Sequence, residues 1–234
     1  MTGPLHGQRQ GRALVVIAGE DTYHDLAAAG EMLRTAATDA GLTTHLGVGL
    51  QRFREPRPET QAADVVVLYA FGAAFPTAEQ EALTALVRDG RGLVAVHCAN
   101  TLRTMEGTLE PEDRPMFELL GSRFVRHPAD SGPHRIVVLP GHPVTEGVQG
   151  FGTVDEYYEL ELADDAIVPL AVRERLEGER FPTTTVPVMY ARHVGAGRVV
   201  YLALGHDERG WSAPGFRALL QGAIGWATRD PAIG

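Results

Sequence analysis

Three histidines far apart along the chain, His24, His97 and His206, each follow a short apolar run closely enough to sit in the loop behind it. An imidazole titrates near neutral pH and is also the commonest protein ligand for a borderline metal such as zinc. A carboxylate that could join them comes from Asp155-Glu-Tyr-Tyr-Glu159. On an extended strand, alternation sets Asp155, Tyr157 and Glu159 on one face and Glu156 with Tyr158 on the other, and Glu156 is expected to point inward. The competing reading is a solvated edge strand decorated with charges. If His24, His97, His206 and Glu156 converge, two chemistries are open. The three histidines could hold a divalent metal such as zinc, which polarises a carbonyl or brings a bound water to a pKa of about 7. Without a metal, an imidazole with a pKa of about 6.5 could take a proton from beside a carbonyl.

His97 closes the run Gly92-Leu-Val-Ala-Val-His97. A tight turn from strand to helix strains its central residue and crowds the positions two before and two after. Centred on His97 these are Ala95 and Ala99, which fit; centred on Cys98 they are Val96 and Asn100, which fit poorly. Plainer roles exist for each histidine: His97 ending a strand on a carbonyl, His24 starting a helix beside Asp25, His206 in an exposed turn after Gly205. His127, His134, His142 and His193 read as loop, edge or turn residues, and His6 as part of a disordered leader. A rival catalytic set is the thiol of Cys98 with His206 and Glu208.

The elements that must position these residues alternate. Ala13–Ala18, Thr43–Val48, Ala63–Ala70 and Gly92–His97 read as strands, the continuous apolar runs among them as strands buried on both faces. Asp25–Ala40 and Thr77–Asp89 carry helical apolar spacing, closed by Gly41 and Gly90, with Thr77 a plausible N-cap. Repeated βα units predict a doubly wound, mostly parallel α/β sheet, whose ligand sites lie outside the carboxyl ends of the strands. The charged, proline-bearing stretch from Thr101 to Pro133 breaks the pattern, with a short helix at Met116–Leu120 and an extended segment at Arg123–His127. Arg135–Leu139, Val154–Leu160, Ala166–Val172, Val186–Ala191 and Arg198–Ala203 follow as added strands, with a turn at Gly195–Gly197. Pro214–Thr228 is the closing helix.

The chain has 234 residues, 44% of them hydrophobic and 22% charged, which suits one globular domain over residues 12–230 behind a flexible leader of residues 1–11. A net charge of -9 argues against nucleic acid as a partner. The single cysteine excludes an internal disulfide and a cysteine-based zinc finger, and suits a reducing compartment. No secretory h-region and no run of ~18 apolar residues is present, so a cytoplasmic protein without a membrane partner is expected.

Several blocks resemble the ThuA-like (trehalose utilisation) family of the class I glutamine amidotransferase-like superfamily. They are Gly92–His97, Gly141-His-Pro-Val-Thr-Glu-Gly147 with Asp155–Tyr158, Pro187-Val-Met-Tyr-Ala-Arg192, and Gly197-Arg-Val-Val-Tyr-Leu-Ala-Leu-Gly-His-Asp207 with Trp211. The resemblance implies a flavodoxin-like sheet, a histidine where amidotransferase relatives carry the catalytic cysteine, and a sugar or keto-sugar substrate. It also implies histidines at positions 24, 97 and 206 in family-typical places. Tyr23, Asn100, Tyr158, Asp207 and Trp211 are then the expected substrate contacts, with no nucleotide cofactor. A non-catalytic sugar-binding protein is a further possibility, and exposed sheet edges after Ser131 make a homodimer plausible.

Overall fold

A computed structural model describes residues 9–20, 22–71, 75–103, 107–127, 131–164, 166–174 and 187–228. Strand β1 (Arg12–Ala18) leads through helix α1 (Leu26–Asp39) to β2 (Thr43–Val48), and the short helices α2 (Gln51–Arg54) and α3 (Pro58–Ala62) reach β3 (Val65–Ala70). Helix α4 (Thr77–Arg88) returns to β4 (Gly92–Val96), which ends in one 3-10 turn at His97–Asn100. Then come α5 (Arg114–Leu120), β5 (Ser122–Arg126), β6 (Gly132–Val138), β7 (Phe151–Asp155), β8 (Glu159–Leu162), β9 (Val168–Arg173), β10 (Pro187–Val194) and β11 (Gly197–Leu202). Helices α6 (Glu208–Trp211) and α7 (Pro214–Ala227) close the chain.

The main sheet has nine strands in the order β2-β1-β3-β4-β11-β10-β9-β6-β7. From β2 to β11 every pairing is parallel, and from β11 to β7 every pairing is antiparallel. This is the flavodoxin-like arrangement extended by a hairpin-rich edge, as the alternating pattern predicts. Strands β5 and β8 form a separate antiparallel ribbon.

Strand β1 illustrates why the parallel half is so apolar. Ala13, Val15 and Ile17 enter the core layer shared with α1 and α7, whereas Leu14, Val16 and Ala18 enter the layer shared with α4 and α5. Both faces are covered, so no polar position is tolerated between its first residue and its end. Helix α1 starts as expected, with the Asp25 carboxylate accepting the Ala28 N–H at 2.8 Å. Helix α4 differs: Pro76 takes the cap position, and the Thr77 hydroxyl donates instead to the Glu112 carbonyl at 3.1 Å.

The expected continuous strand over Val154–Leu160 is also broken. Residues 156–158 leave the sheet between β7 and β8, so the alternation that paired Asp155 with Glu159 on one face does not operate. Asp155 turns its carboxylate onto its own chain and across to the loop after β11, and this bends the backbone out of the strand.

Candidate functional site

Loops after β1, β4 and β11 meet at the carboxyl end of the parallel strands. His97 is the only residue other than glycine with positive φ among the described residues, at 51°. A side chain there is unusual and is retained only where its surroundings hold it. Its surroundings do. Nδ1 lies 2.8 Å from the Ala203 carbonyl, which can only accept, so the ring hydrogen sits on Nδ1 and the Nε2 lone pair faces the cavity. The single hydrogen of the Tyr201 hydroxyl is shared between the His97 carbonyl at 2.8 Å and Asn100 Oδ1 at 2.7 Å. Asn100 donates in turn to Ser122 Oγ at 2.9 Å.

The loop after β11 is fixed just as fully. Gly205, at φ 112°, donates its N–H to Asp155 Oδ2 at 2.8 Å, and its carbonyl accepts from Trp211 Nε1 at 2.7 Å and from the Tyr69 hydroxyl at 3.1 Å. A side chain at Gly205 would press on Phe216 and Val96. Asp155 also accepts the His206 N–H at 3.1 Å and the Glu156 N–H at 2.9 Å. One buried carboxylate therefore sets the backbone of two site residues at once. Burial pushes the Asp155 carboxyl above its ordinary range, against the opposing pull of His97 and these three N–H groups.

Four side chains converge on this frame. His97 Nε2, His206 Nδ1 and Glu156 Oε2 are 3.3, 3.4 and 3.5 Å from one another. His24 brings a nitrogen into the same group, with all four ligand atoms within 4.8 Å of each other. Its ring stands edge-on to both His97 and His206, each 5.1 Å away between centroids. His24 is 5% exposed, and neither ring nitrogen has a hydrogen-bond partner among the described residues. Burial, then the charges of His97 and His206, push its pKa down to about 3, so it is a neutral ring with lone-pair character at physiological pH.

Burial first, then His97, also lowers the His206 pKa. Burial raises the Glu156 carboxyl, but the hydrogen bond and charge of His97, with His206 and His127, more than offset it and leave the group below its ordinary range.

These residues fit a divalent cation. Ligand atoms about 2.0–2.1 Å from a tetrahedral zinc stand about 3.3–3.4 Å apart, which is the size of the triangle made by His97, His206 and Glu156. The neutral ring of His24, two further imidazoles and a carboxylate held below its ordinary range supply the donor chemistry such an ion needs. The cluster opens into a cavity of about 1050 Å³ lined by Tyr23, Phe71, Phe124, Tyr158, Arg103, Arg126 and His127, among others. That volume is at the upper end of small-molecule sites, with room for a sugar of more than one ring.

A family model described as trehalose utilisation matches residues 12–227. The chain belongs to the ThuA family. A ThuA-like protein from Parabacteroides merdae superposes with a TM-score of 0.74 at 15% identity, covering 94% of this chain and 90% of that one. A ThuA-like protein from Bacteroides uniformis gives a TM-score of 0.70 at 17% identity over 97% and 95% of the two chains. A β-galactosidase from Rahnella sp. R3 gives 0.61 at 15% identity, covering 90% of this chain but 31% of the enzyme. At these identities the likeness is one of fold. A search of curated proteins finds no match.

Of the expected residues, the ThuA-family chain gathers His24, His97, His206 and Glu156 at one place and sets Tyr23 and Tyr158 on the cavity wall. Tyr158 is buried, its hydroxyl 2.8 Å from His97 Nε2. The other three expected substrate contacts go elsewhere. Asn100 is fully buried beneath the His97 turn with both ends of its amide engaged. Asp207 caps α6 and pairs with Arg209 at 2.6 Å, and Trp211 packs in the core while bonding Gly205.

The Cys98 alternative is likewise not assembled. Its side chain is buried in the α1/α7 core layer, its thiol is pushed well up by burial, and Glu208 lines a separate groove beside Ala28 and Trp211. Sequence reasoning missed two residues. His127, read as structural, stands 3.7 Å from Glu156 Oε1 with its ring stacked on Tyr158, and Asp155 is the anchor described above. Nothing local in the sequence signalled either, since the Asp155 contacts reach the loop at 205 and 206.

Proposed function

We propose that this ThuA-family chain is an enzyme of sugar utilisation that acts on a sugar or keto-sugar. Its reacting centre is His24, His97, His206 and Glu156 with a divalent metal such as zinc. The observation that carries this reading is His24: a buried imidazole with two orphaned nitrogens, facing two more imidazoles and a carboxylate, is costly unless a ligand engages it. When bound, such a metal polarises a carbonyl oxygen or holds a water whose pKa is near 7. The chain's own residues supply the rest. Ala203 locks the His97 tautomer so that Nε2 is the donor atom, Asp155 holds His206 and Glu156 in register, and the aromatic wall of Tyr23, Phe71 and Phe124 offers faces for a sugar ring.

Turnover of a panel of keto-sugars and glycosides by purified protein, before and after chelation and after zinc is restored, tests the reading. Activity lost on chelation and regained with zinc supports it; activity indifferent to chelator rejects the metal.

A second reading has its own observation. The Tyr158 hydroxyl, 2.8 Å from His97 Nε2, forms a Tyr–His pair able to move a proton without a metal. Chelator-resistant turnover that falls in Tyr158→Phe would favour this version.

A further inference from the structure

The cavity has a charge pattern opposite to that of the whole molecule. The chain carries a net charge of -9, yet among the described residues those of fixed charge lining the cavity are Arg103, Arg126 and one carboxylate, Glu156. A divalent cation at the cluster would add two further positive charges. A neutral sugar has no use for such a field, whereas an anionic one is drawn into it.

The two arginines are not equivalent. Arg126 Nε is bonded to Glu159 at 2.8 Å, and Glu159 is mostly buried. Arg103 is held differently. Its backbone N–H donates to Asp113 Oδ2 at 2.8 Å, and Asp113 is 1% exposed and accepts Gln80 Nε2 at 3.4 Å as well. The guanidinium of Arg103 stays 3.9 Å from Asp113 Oδ1, beyond hydrogen-bond reach, and 38% of its side chain is exposed. Asp113 thus fixes the base of Arg103 without consuming its donors. The residue lies six positions after His97 on the segment that leaves the His97–Asn100 turn, and it lines the same cavity.

We infer that the cavity takes an anionic sugar, one bearing a carboxylate or a phosphate, and that Arg103 is the specificity-determining residue that receives the anionic group. This rests on the sugar reading above and deepens it. A guanidinium fork matches the paired oxygens of either anion, and a charge-assisted bond is roughly twice as strong as a neutral one.

Calorimetric titration of the full chain, zinc-loaded and at fixed ionic strength, with matched hexoses, hexonates, hexuronates and hexose phosphates tests this. The acids are expected to bind about tenfold or more tightly than the neutral hexoses, with Arg103→Gln removing that margin and Arg126→Gln reducing it less. The hexuronate and hexose phosphate arms tell a carboxylate from a phosphate. Equal affinity for acids and hexoses, binding of neither, or a preference that survives Arg103→Gln overturns the inference.

Zinc content and melting temperature, measured on the same samples, separate the outcomes. Stoichiometric zinc without an acid preference rejects only the anionic substrate, and an acid preference without zinc rejects only the metal. Arg103→Gln keeps the backbone bond to Asp113 and is expected to melt within a few degrees of the wild type.

Discussion

The turn after β4 and the loop after β1 both deliver an imidazole to the same cavity, and they do so in opposite states. In the first, His97 is committed: Nδ1 bonds Ala203, Nε2 meets Tyr158 and His206, and its own carbonyl accepts from Tyr201. In the second, His24 is as buried as a core residue, yet neither nitrogen has a partner among the described residues. A satisfied buried polar group contributes to the fold; an unsatisfied one weakens it and persists where function requires it. The β4 turn thus holds its histidine through satisfied bonds, whereas the β1 loop buries an imidazole that the proposed metal would engage.

The widest separation between the two regions is expected from His97→Ala against His24→Phe. Removing the His97 ring strands the Ala203 carbonyl and the Tyr158 hydroxyl in the interior and should cost about 2–4 kcal/mol in urea unfolding, along with activity and metal. His24→Phe removes only unpaired nitrogens, so metal-free stability near pH 7 should be unchanged or raised while activity is lost. If both variants lose similar stability, the distinction between the loops fails.

Asp155→Asn sharpens the same contrast from below. An amide cannot accept on both sides as the carboxylate does, so at least one of the Gly205, His206 and Glu156 N–H groups loses its partner. A loss of about 2–3 kcal/mol is expected, with zinc affinity falling because the His206 and Glu156 backbones shift.

The pH dependence of metal-free protein grows with each unit of acidification. Below about 6.5 an unfolded imidazole takes up a proton, but folded His24, held at about 3, does not. The unfolded state then binds more protons, so stability falls as pH drops from about 6.5 towards 3, by at most ~1.4 kcal/mol per unit from this group. The difference between wild type and His24→Phe isolates it: their stability gap should narrow above pH 7 and widen in acid.

The smallest effect is expected at Cys98→Ala. The thiol faces the core and is held protonated by burial, so activity should stay within about twofold, stability should fall by ~1 kcal/mol, and iodoacetamide should leave native protein unlabelled.

Much of this architecture was legible in the sequence where physics is local. The runs at 13–18, 63–70 and 92–97 read as strands and the structure has strands at 12–18, 65–70 and 92–96, and Ala95 and Ala99 marked His97 as the centre of a tight turn; its φ of 51° agrees. What was not legible depends on partners distant in sequence. Residues 156–158 have strand-like composition and leave the strand because Asp155 reaches the loop at 205 and 206, some 50 positions away. His127 enters the cavity because β5 pairs with β8, a ribbon with no local signature. Asn100, Asp207 and Trp211 stand next to site residues in sequence, but each spends its polar atoms on holding the loops rather than facing the cavity.

The central claim is that three imidazoles and a carboxylate from four separate segments form one ligand centre. X-ray absorption at the zinc edge, on protein reconstituted with one equivalent and washed free of excess, tests it most directly. The account predicts one tightly held zinc per chain with a shell of nitrogen and oxygen neighbours at about 2.0–2.1 Å and the multiple-scattering signature of imidazoles, weakened in His24→Phe. Failure to retain zinc, or a zinc shell lacking imidazole and unaltered in the His24 variant, would contradict it.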